Sequence, residues 1–267
     1  MSSPSILETI VAKRREDVAE AKAAVPTGEL QRAASAAAPP IDFVARLAEE
    51  PPAVIAEIKR ASPSKGDIAP QMDAPEQALR YARGGAAGIS VLTEPTWFKG
   101  TLDDLRGARE AVEELGAGRP GLLRKDFLID EYQLLEARAH GADAVLLIVA
   151  CLDDEALERL LACSRELGME AMVEVNSAEE MERAGAVGAR LVGINNRDLR
   201  SFNVDLGTTD RLAGGAPETA LLAALSGIST REDVARFEEV GAKAVLVGEA
   251  LMRADDPAAM IAELRGR

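Results

Sequence analysis

From residue 53 onward the chain repeats one unit eight times: a short β-rich apolar run, a turn, a helical stretch, then the next run. The runs are AVIAEIK (53–59), GISVLTE (88–94), LLRKDF (122–127), AVLLIVA (144–150), MEAMVEV (169–175), LVGINN (191–196), ALLAALSG (220–227) and AVLVGEA (244–250). Several of the segments between them open with a helix cap: Asp73 with Glu76, Thr101 with Asp104, Ser177 with Glu180, and Thr230 with Asp233. Several close on a glycine just before the next run, as in RAHGADAVLL and EEVGAKAVLV, where a helix C-cap belongs. Eight such alternations predict an α/β protein, a (β/α)8 TIM barrel. The rival is a doubly wound open sheet. That fold places a glycine-rich turn after its first strand, and no G-x-G-x-x-G follows residue 59.

The first fifty residues fall outside this rhythm. They read as an N-terminal helical extension of a single domain spanning 1–267, since no second core is visible. Ser5 and Glu8 form a capping box at the start of an amphipathic helix with Ile6, Ile10 and Val11 on its buried side. Pro26, the alanine-rich stretch 33–38 and Pro39-Pro40 are expected to separate two helices. The opening MSSPSILETIVAKRRED has no signal-peptide core, and the longest apolar run, 144–152, is too short to span a membrane. With 47% apolar residues the chain has enough material for a large core, although only 3% are aromatic. A net charge of -14 excludes bulk binding to nucleic acid or to an anionic membrane surface. Cys151 and Cys163 sit among apolar residues without metal-ligand spacing, which predicts reduced thiols in a cytoplasmic protein.

In a (β/α)8 barrel the chemistry lies at the C-terminal strand ends. Here those ends carry Glu57 and Lys59, Lys125 and Asp126, Glu174, Asn195 followed by Arg197, Ser226-Gly227, and Gly248-Glu249. Side-chain alternation puts Val54, Ala56 and Ile58 on one face of the first run, and Ile55, Glu57 and Lys59 on the other. The wholly apolar face should meet helices and the mixed face should enter the barrel. Buried charges are costly unless paired or bound to a ligand. A Glu57–Lys59 or Lys125–Glu174 ion pair that merely plugs the mouth would account for one pair; polar groups at five strand ends point to a site. The small residues after the last two strands suit a phosphate cradle. No metal is expected, because carboxylates interleaved with lysines suit a dication poorly. The single histidine, His140, sits at a helix end and offers no Ser–His–Asp arrangement.

The segments EIKRASPSKG, LRKDF, VEV, GINNRDL, SGIS and VGEALMR stand in order at successive strand ends. Together with ILETIVAKRREDV and LTEPTWFKGTLDDL they closely resemble the indole-3-glycerol phosphate synthase family across essentially the whole chain. The resemblance implies a carboxy-lyase of tryptophan biosynthesis. Such an enzyme closes the ring of 1-(2-carboxyphenylamino)-1-deoxyribulose 5-phosphate and releases carbon dioxide and water, with no cofactor. It implies that Lys125 is a general acid and Lys59 a second catalytic lysine, and that Glu174 and Glu57 are the catalytic carboxylates. The division of labour within each pair stays open. Asn195 and Arg197 would orient the substrate, Ser62 would contact it, and Ser226, Gly227, Gly248 and Glu249 would hold the phosphate. Glu249 would have to turn its carboxylate away. Phe98, Phe127, Leu146 and Leu199 would wall the aromatic ring, although core packing explains Leu146 nearly as well. Other phosphosugar barrels, such as phosphoribosylanthranilate isomerase and the tryptophan synthase α subunit, share the cradle but not EIKRASPSKG with KDF and NNRD. A catalytically dead barrel serving as a binding protein is disfavoured by the intact lysines and glutamates. The expected partner is a small phosphorylated molecule, the expected state a monomer or weak homodimer, and no fused isomerase domain is expected.

Overall fold

The computed structural model describes residues 4–267. Eight strands, β1 (Ala53–Ile58), β2 (Gly88–Leu92), β3 (Gly121–Lys125), β4 (Ala144–Ile148), β5 (Glu170–Val175), β6 (Leu191–Asn195), β7 (Leu221–Leu225) and β8 (Ala244–Val247), close into a barrel. All neighbours are parallel, and β1 pairs with both β2 and β8 to complete the ring. Three helices precede β1: α1 (Ile6–Ala24), α2 (Thr27–Ala36) and α3 (Phe43–Ala48). After successive strands come α4 (Ala74–Arg83), α5 (Leu102–Glu113), α6 (Glu131–Ala139), α7 (Asp154–Glu166), α8 (Ala178–Ala186), α9 (Gly207–Leu212) and α10 (Arg231–Glu239). The last strand is followed by α11 (Glu249–Arg253) and α12 (Pro257–Leu264).

The expected caps form. Ser5, Thr101 and Thr230 make reciprocal capping boxes, and Asp73 and Ser177 accept from the backbone N–H three residues on. At the other ends Gly85, Gly141, Gly188 and Gly241 take φ between 68° and 94°, the left-handed turn that releases the chain toward the next strand. The N-terminal segment departs from expectation. Pro26 does separate α1 from α2, but residues 33–36 belong to α2, and a third helix follows Pro39-Pro40. Alanine is the best helix former, so an alanine-rich stretch extends a helix instead of breaking it.

The core has two layers. Outward residues such as Val54, Ala56, Val173 and Val245 pack against the helices. Inward residues Ile55, Leu123, Leu146, Met172, Leu225 and Leu246 fill the barrel. Phe43 of α3, fully buried, closes the N-terminal end. Its ring lies where side chains on Gly88 and Gly121 would project, so β2 and β3 both begin with glycine. The burial of one such ring contributes about 2–3 kcal/mol. A smaller cluster, Val18, Leu30, Ala34, Tyr132 and Leu135, fastens α1 and α2 to α6.

Candidate active site

The pleat sorts the charges at the barrel mouth. On β1 Glu57 points inward with Ile55, while Arg60, past the strand end, turns outward. There its guanidinium grips both carboxylate oxygens of Asp104 at 2.5 and 2.6 Å and the Met72 carbonyl at 3.1 Å. Arg60 therefore anchors the β1–α4 loop, in which Ala61–Ser62 pairs with Gly66–Asp67 as a two-residue antiparallel ladder. The alternation of β3 sends Lys125 inward with Leu123, and Arg124 and Asp126 outward. Asp126 lines the mouth cavity beside Lys125, as expected, but its carboxylate is not free for substrate. Its Oδ2 instead accepts from Thr93 Oγ1 (2.6 Å), Arg14 Nη2 (3.1 Å) and Arg124 Nη2 (3.1 Å), and its Oδ1 from the Phe127 N–H (2.8 Å). That carboxylate is fully engaged, and through Arg14 it ties α1 to the barrel.

All fifteen residues singled out for catalysis or substrate contact line one cavity of about 340 Å³ at the C-terminal mouth. Lys59 Nζ donates to Glu57 Oε1 at 2.5 Å. Lys125 Nζ lies 3.8 Å from Glu174 Oε2. Asn195 Nδ2 donates to Glu174 Oε1 at 2.8 Å, and Asn195 Oδ1 accepts from the Arg197 N–H at 2.9 Å. Arg197 also donates to the Phe202 carbonyl at 3.1 Å. Burial is the largest influence on Glu57 and pushes its carboxyl up. Lys59, Lys125 and Arg197 together outweigh it, so the group titrates below the ordinary value and stays ionised. Glu174 is only 2% exposed, and its Oε2 has no hydrogen-bond partner among the described residues. A buried carboxylate oxygen without a donor is costly, which marks a place awaiting a ligand or a proton.

One wall is apolar, built by Leu146, Leu199, Phe98 and Phe127, the two rings 6.2 Å apart and tilted by 42°. Leu146 belongs to the interior core and to this wall at once. Leu7 and Ile10 of α1 complete it, and sequence reasoning had placed Ile10 only on a buried helix face. Nothing in the periodicity of α1 states that its apolar face meets the cavity. At the opposite side Ser226 and Gly227 both take left-handed backbone, φ 68° and 82°. Gly248 opens α11 without a side-chain cap, and a Cβ there would collide with Glu57 and Lys59. The Glu249 carboxylate is drawn aside by Arg253 (3.2 Å) and Lys65 (3.7 Å). His140 caps α6, its Nδ1 2.7 Å from the Glu136 carbonyl, and does not line the cavity. Both cysteines are free, and burial pushes the Cys163 thiol up to about 11.

A closed parallel barrel with its ionic groups gathered at the C-terminal mouth defines the class: a (β/α)8 barrel of the enzyme type. The family model for indole-3-glycerol phosphate synthase matches residues 7–264, and the chain belongs to that family. It is 56% identical to the multifunctional tryptophan biosynthesis protein of Schizosaccharomyces pombe, over 97% of this chain but 35% of that protein. The chain thus spans about a third of such fungal relatives. It is 50% identical to the indole-3-glycerol phosphate synthase of Roseiflexus castenholzii, over 98% of this chain and 99% of that one. Among solved structures, the tryptophan synthase α subunit of Legionella pneumophila superposes with a TM-score of 0.61 at 16% identity, covering 85% of this chain and 98% of that one. At that identity the likeness concerns the fold alone.

Proposed function

We propose that the chain converts 1-(2-carboxyphenylamino)-1-deoxyribulose 5-phosphate to indole-3-glycerol phosphate, as a carboxy-lyase of tryptophan biosynthesis. The observation that carries this is the pairing, in one cavity, of two ammonium groups and two carboxylates with a wall of aromatic and branched side chains. The reaction needs that combination. The ring carbon bearing the carboxylate attacks the ketone carbon, and the carbonyl electrons move onto oxygen, which takes a proton. Lys125 is the donor, and its charge stabilises the developing alkoxide. The bond to the carboxylate then breaks, carbon dioxide leaves, and the aromatic ring is restored. Last, the hydroxyl takes a proton from a mouth ammonium and leaves as water while the neighbouring CH2 loses one. Glu174, with Oε2 unengaged, removes that proton. Glu57 holds Lys59 in place as the second cation, beside the ketone or the phosphate. Asn195 orients Glu174, Arg197 offers a planar fork to an anionic group, and Ser62 closes over the substrate from its loop. Ser226, Gly227 and Gly248 cradle the phosphate, with Glu249 held aside. Phe98, Phe127, Leu146 and Leu199 hold the aromatic ring.

No resident cofactor or metal enters this scheme. We take residues 1–267 as one barrel domain with 1–50 as its helical extension, acting in the cytoplasm as a monomer or weak homodimer. No helix is long and apolar enough to cross a membrane among the described residues. The test follows indole fluorescence as the carboxyphenylamino substrate is consumed. The wild-type chain is expected to produce the signal, and Lys125→Met to abolish it while keeping its melting transition. Full activity in that variant would remove Lys125 from the scheme.

A further inference from the structure

A second cavity of about 400 Å³ lies behind Glu174. It shares Leu7, Ile148, Glu174 and Leu199 with the first and is otherwise lined by different residues, Asn176, Glu180, Arg183 and Arg200 among them. Glu174 thus stands in the partition between the two spaces, its Oε2 without a hydrogen-bond partner among the described residues and 3.8 Å from Lys125 Nζ. A hydrogen-bonded thread joins the two carboxylates. Glu180 Oε2 accepts from the Asn176 N–H at 2.7 Å, Asn176 Nδ2 donates to the Asn195 carbonyl at 2.6 Å, and Asn195 Nδ2 donates to Glu174 at 2.8 Å. Glu180 sits at the third position of α8, where a capping box would turn it back to the Ser177 N–H. It serves Asn176 instead, which draws the carboxylate toward the cavity.

The chemistry supplies a need for such a space. With the substrate carboxylate ionised, each turnover takes up two protons, one on the ketone oxygen and one on the departing hydroxyl. It returns one, from the CH2. The net uptake is one proton from solvent per cycle, into a site roofed by α1 and occupied by substrate. We propose that the second cavity is the proton inlet of the active site. Glu180 accepts a proton from solvent, hands it through water to Glu174 Oε2, and Glu174 recharges Lys125. No electrons change hands, and the only co-reactant is the solvent proton or a protonated buffer. The inference rests on the reaction proposed above.

The surroundings suit Glu180 to the task. Burial most of all, then the charge of Glu174, raise its proton affinity, against the opposing pull of the Asn176 N–H, Arg200 and Arg183. The other charged groups facing this space are Glu179 and Arg183 of α8, and Asp198 and Arg200 after β6. Arg183 is engaged by Asp154 of α7 at 2.6 Å, and Glu8 of α1 stands near Arg200. Cys151 lies close to both carboxylates, but burial and their charges keep its thiol protonated.

Glu180→Gln tests this, because the amide oxygen still accepts the Asn176 N–H while the proton site is gone. In dilute buffer kcat is expected to fall about tenfold with KM within about twofold, and the basic limb of the kcat profile to move to lower pH. Imidazole at near-neutral pH should restore most of the rate to the variant and leave the wild type unchanged. Glu180→Asp, which keeps a titrating carboxyl, should recover most of the activity. Ala150→Leu narrows the second cavity without touching a charge and should lower kcat similarly, which covers the case in which Glu180→Gln does not fold. Wild-type kcat and pH profile in Glu180→Gln, or in Ala150→Leu if Glu180→Gln does not fold, would overturn the inlet. So would a loss that tracks a lowered melting temperature and ignores imidazole. A wild-type chain producing no indole signal would instead overturn the reaction itself.

Discussion

The barrel carries buried ionic groups at both ends, and they are built differently. At the N-terminal end Arg119 grips Asp143 with two hydrogen bonds of 2.6 and 2.7 Å, and Asp143 also accepts from the Leu122 and Ile41 N–H groups. Asp143 is fully buried with both oxygens engaged. At the C-terminal mouth Lys125 and Glu174 stand 3.8 Å apart, and one oxygen of Glu174 has no donor among the described residues. A pair that satisfies itself holds strands in register. A pair that leaves a lone oxygen facing a cavity gives up stability and keeps capacity for a substrate.

If that contrast is right, a substitution at the mouth changes rate and one at the base changes stability. Glu174→Gln should lower kcat by about a hundredfold or more, with a melting temperature equal to or above that of the wild type, by indole fluorescence and thermal denaturation. A large loss of stability would place Glu174 with the structural pairs. Asp143→Ala should cost about 3–5 kcal/mol in denaturant unfolding, because it strands the Arg119 charge in the core. The fraction that remains folded should turn over normally. Asp126→Asn, between the two extremes, should loosen α1 through Arg14 and raise KM several-fold with a smaller change in kcat; an unchanged KM would detach the roof from substrate binding. The smallest effect concerns pH. Glu57 titrates below its ordinary value of 4.5, so its contribution to stability is complete above that pH and is lost as pH falls through the folded-state value. Acid unfolding of Glu57→Gln should therefore depend less steeply on pH below 4.5 than that of the wild type. Equal slopes would show that the mouth cations do not hold Glu57 ionised.

The sequence carries local periodicity well and long-range pairing poorly. Alternation alone placed Glu57 inside the barrel, and the caps at Thr101 and Thr230 located two helices. The same alternation turns the Asp126 carboxylate away from Lys125, since neighbours on a strand face opposite ways, but its partner Arg14, 112 positions away, was not legible. The roof supplied by Leu7 and Ile10 was hidden for the same reason: an apolar helix face does not state what it covers. The Ala61–Ser62 ladder with Gly66–Asp67 has two residues on each side, too few for a readable period.

Phe43 joins the helical extension to the barrel in a way that resists dissection. Its ring occupies room left by two absent side chains on separate strands. A shortened chain beginning after residue 50 would keep every strand and every charged mouth residue, yet lose the Leu7 and Ile10 wall above and carry an empty berth at its base. Replacing that ring from elsewhere would require bulk at positions 88 and 121 together, since either alone fills only half the space. The first fifty residues and the barrel are therefore coupled through one ring, and a change on either side of that berth is felt on the other.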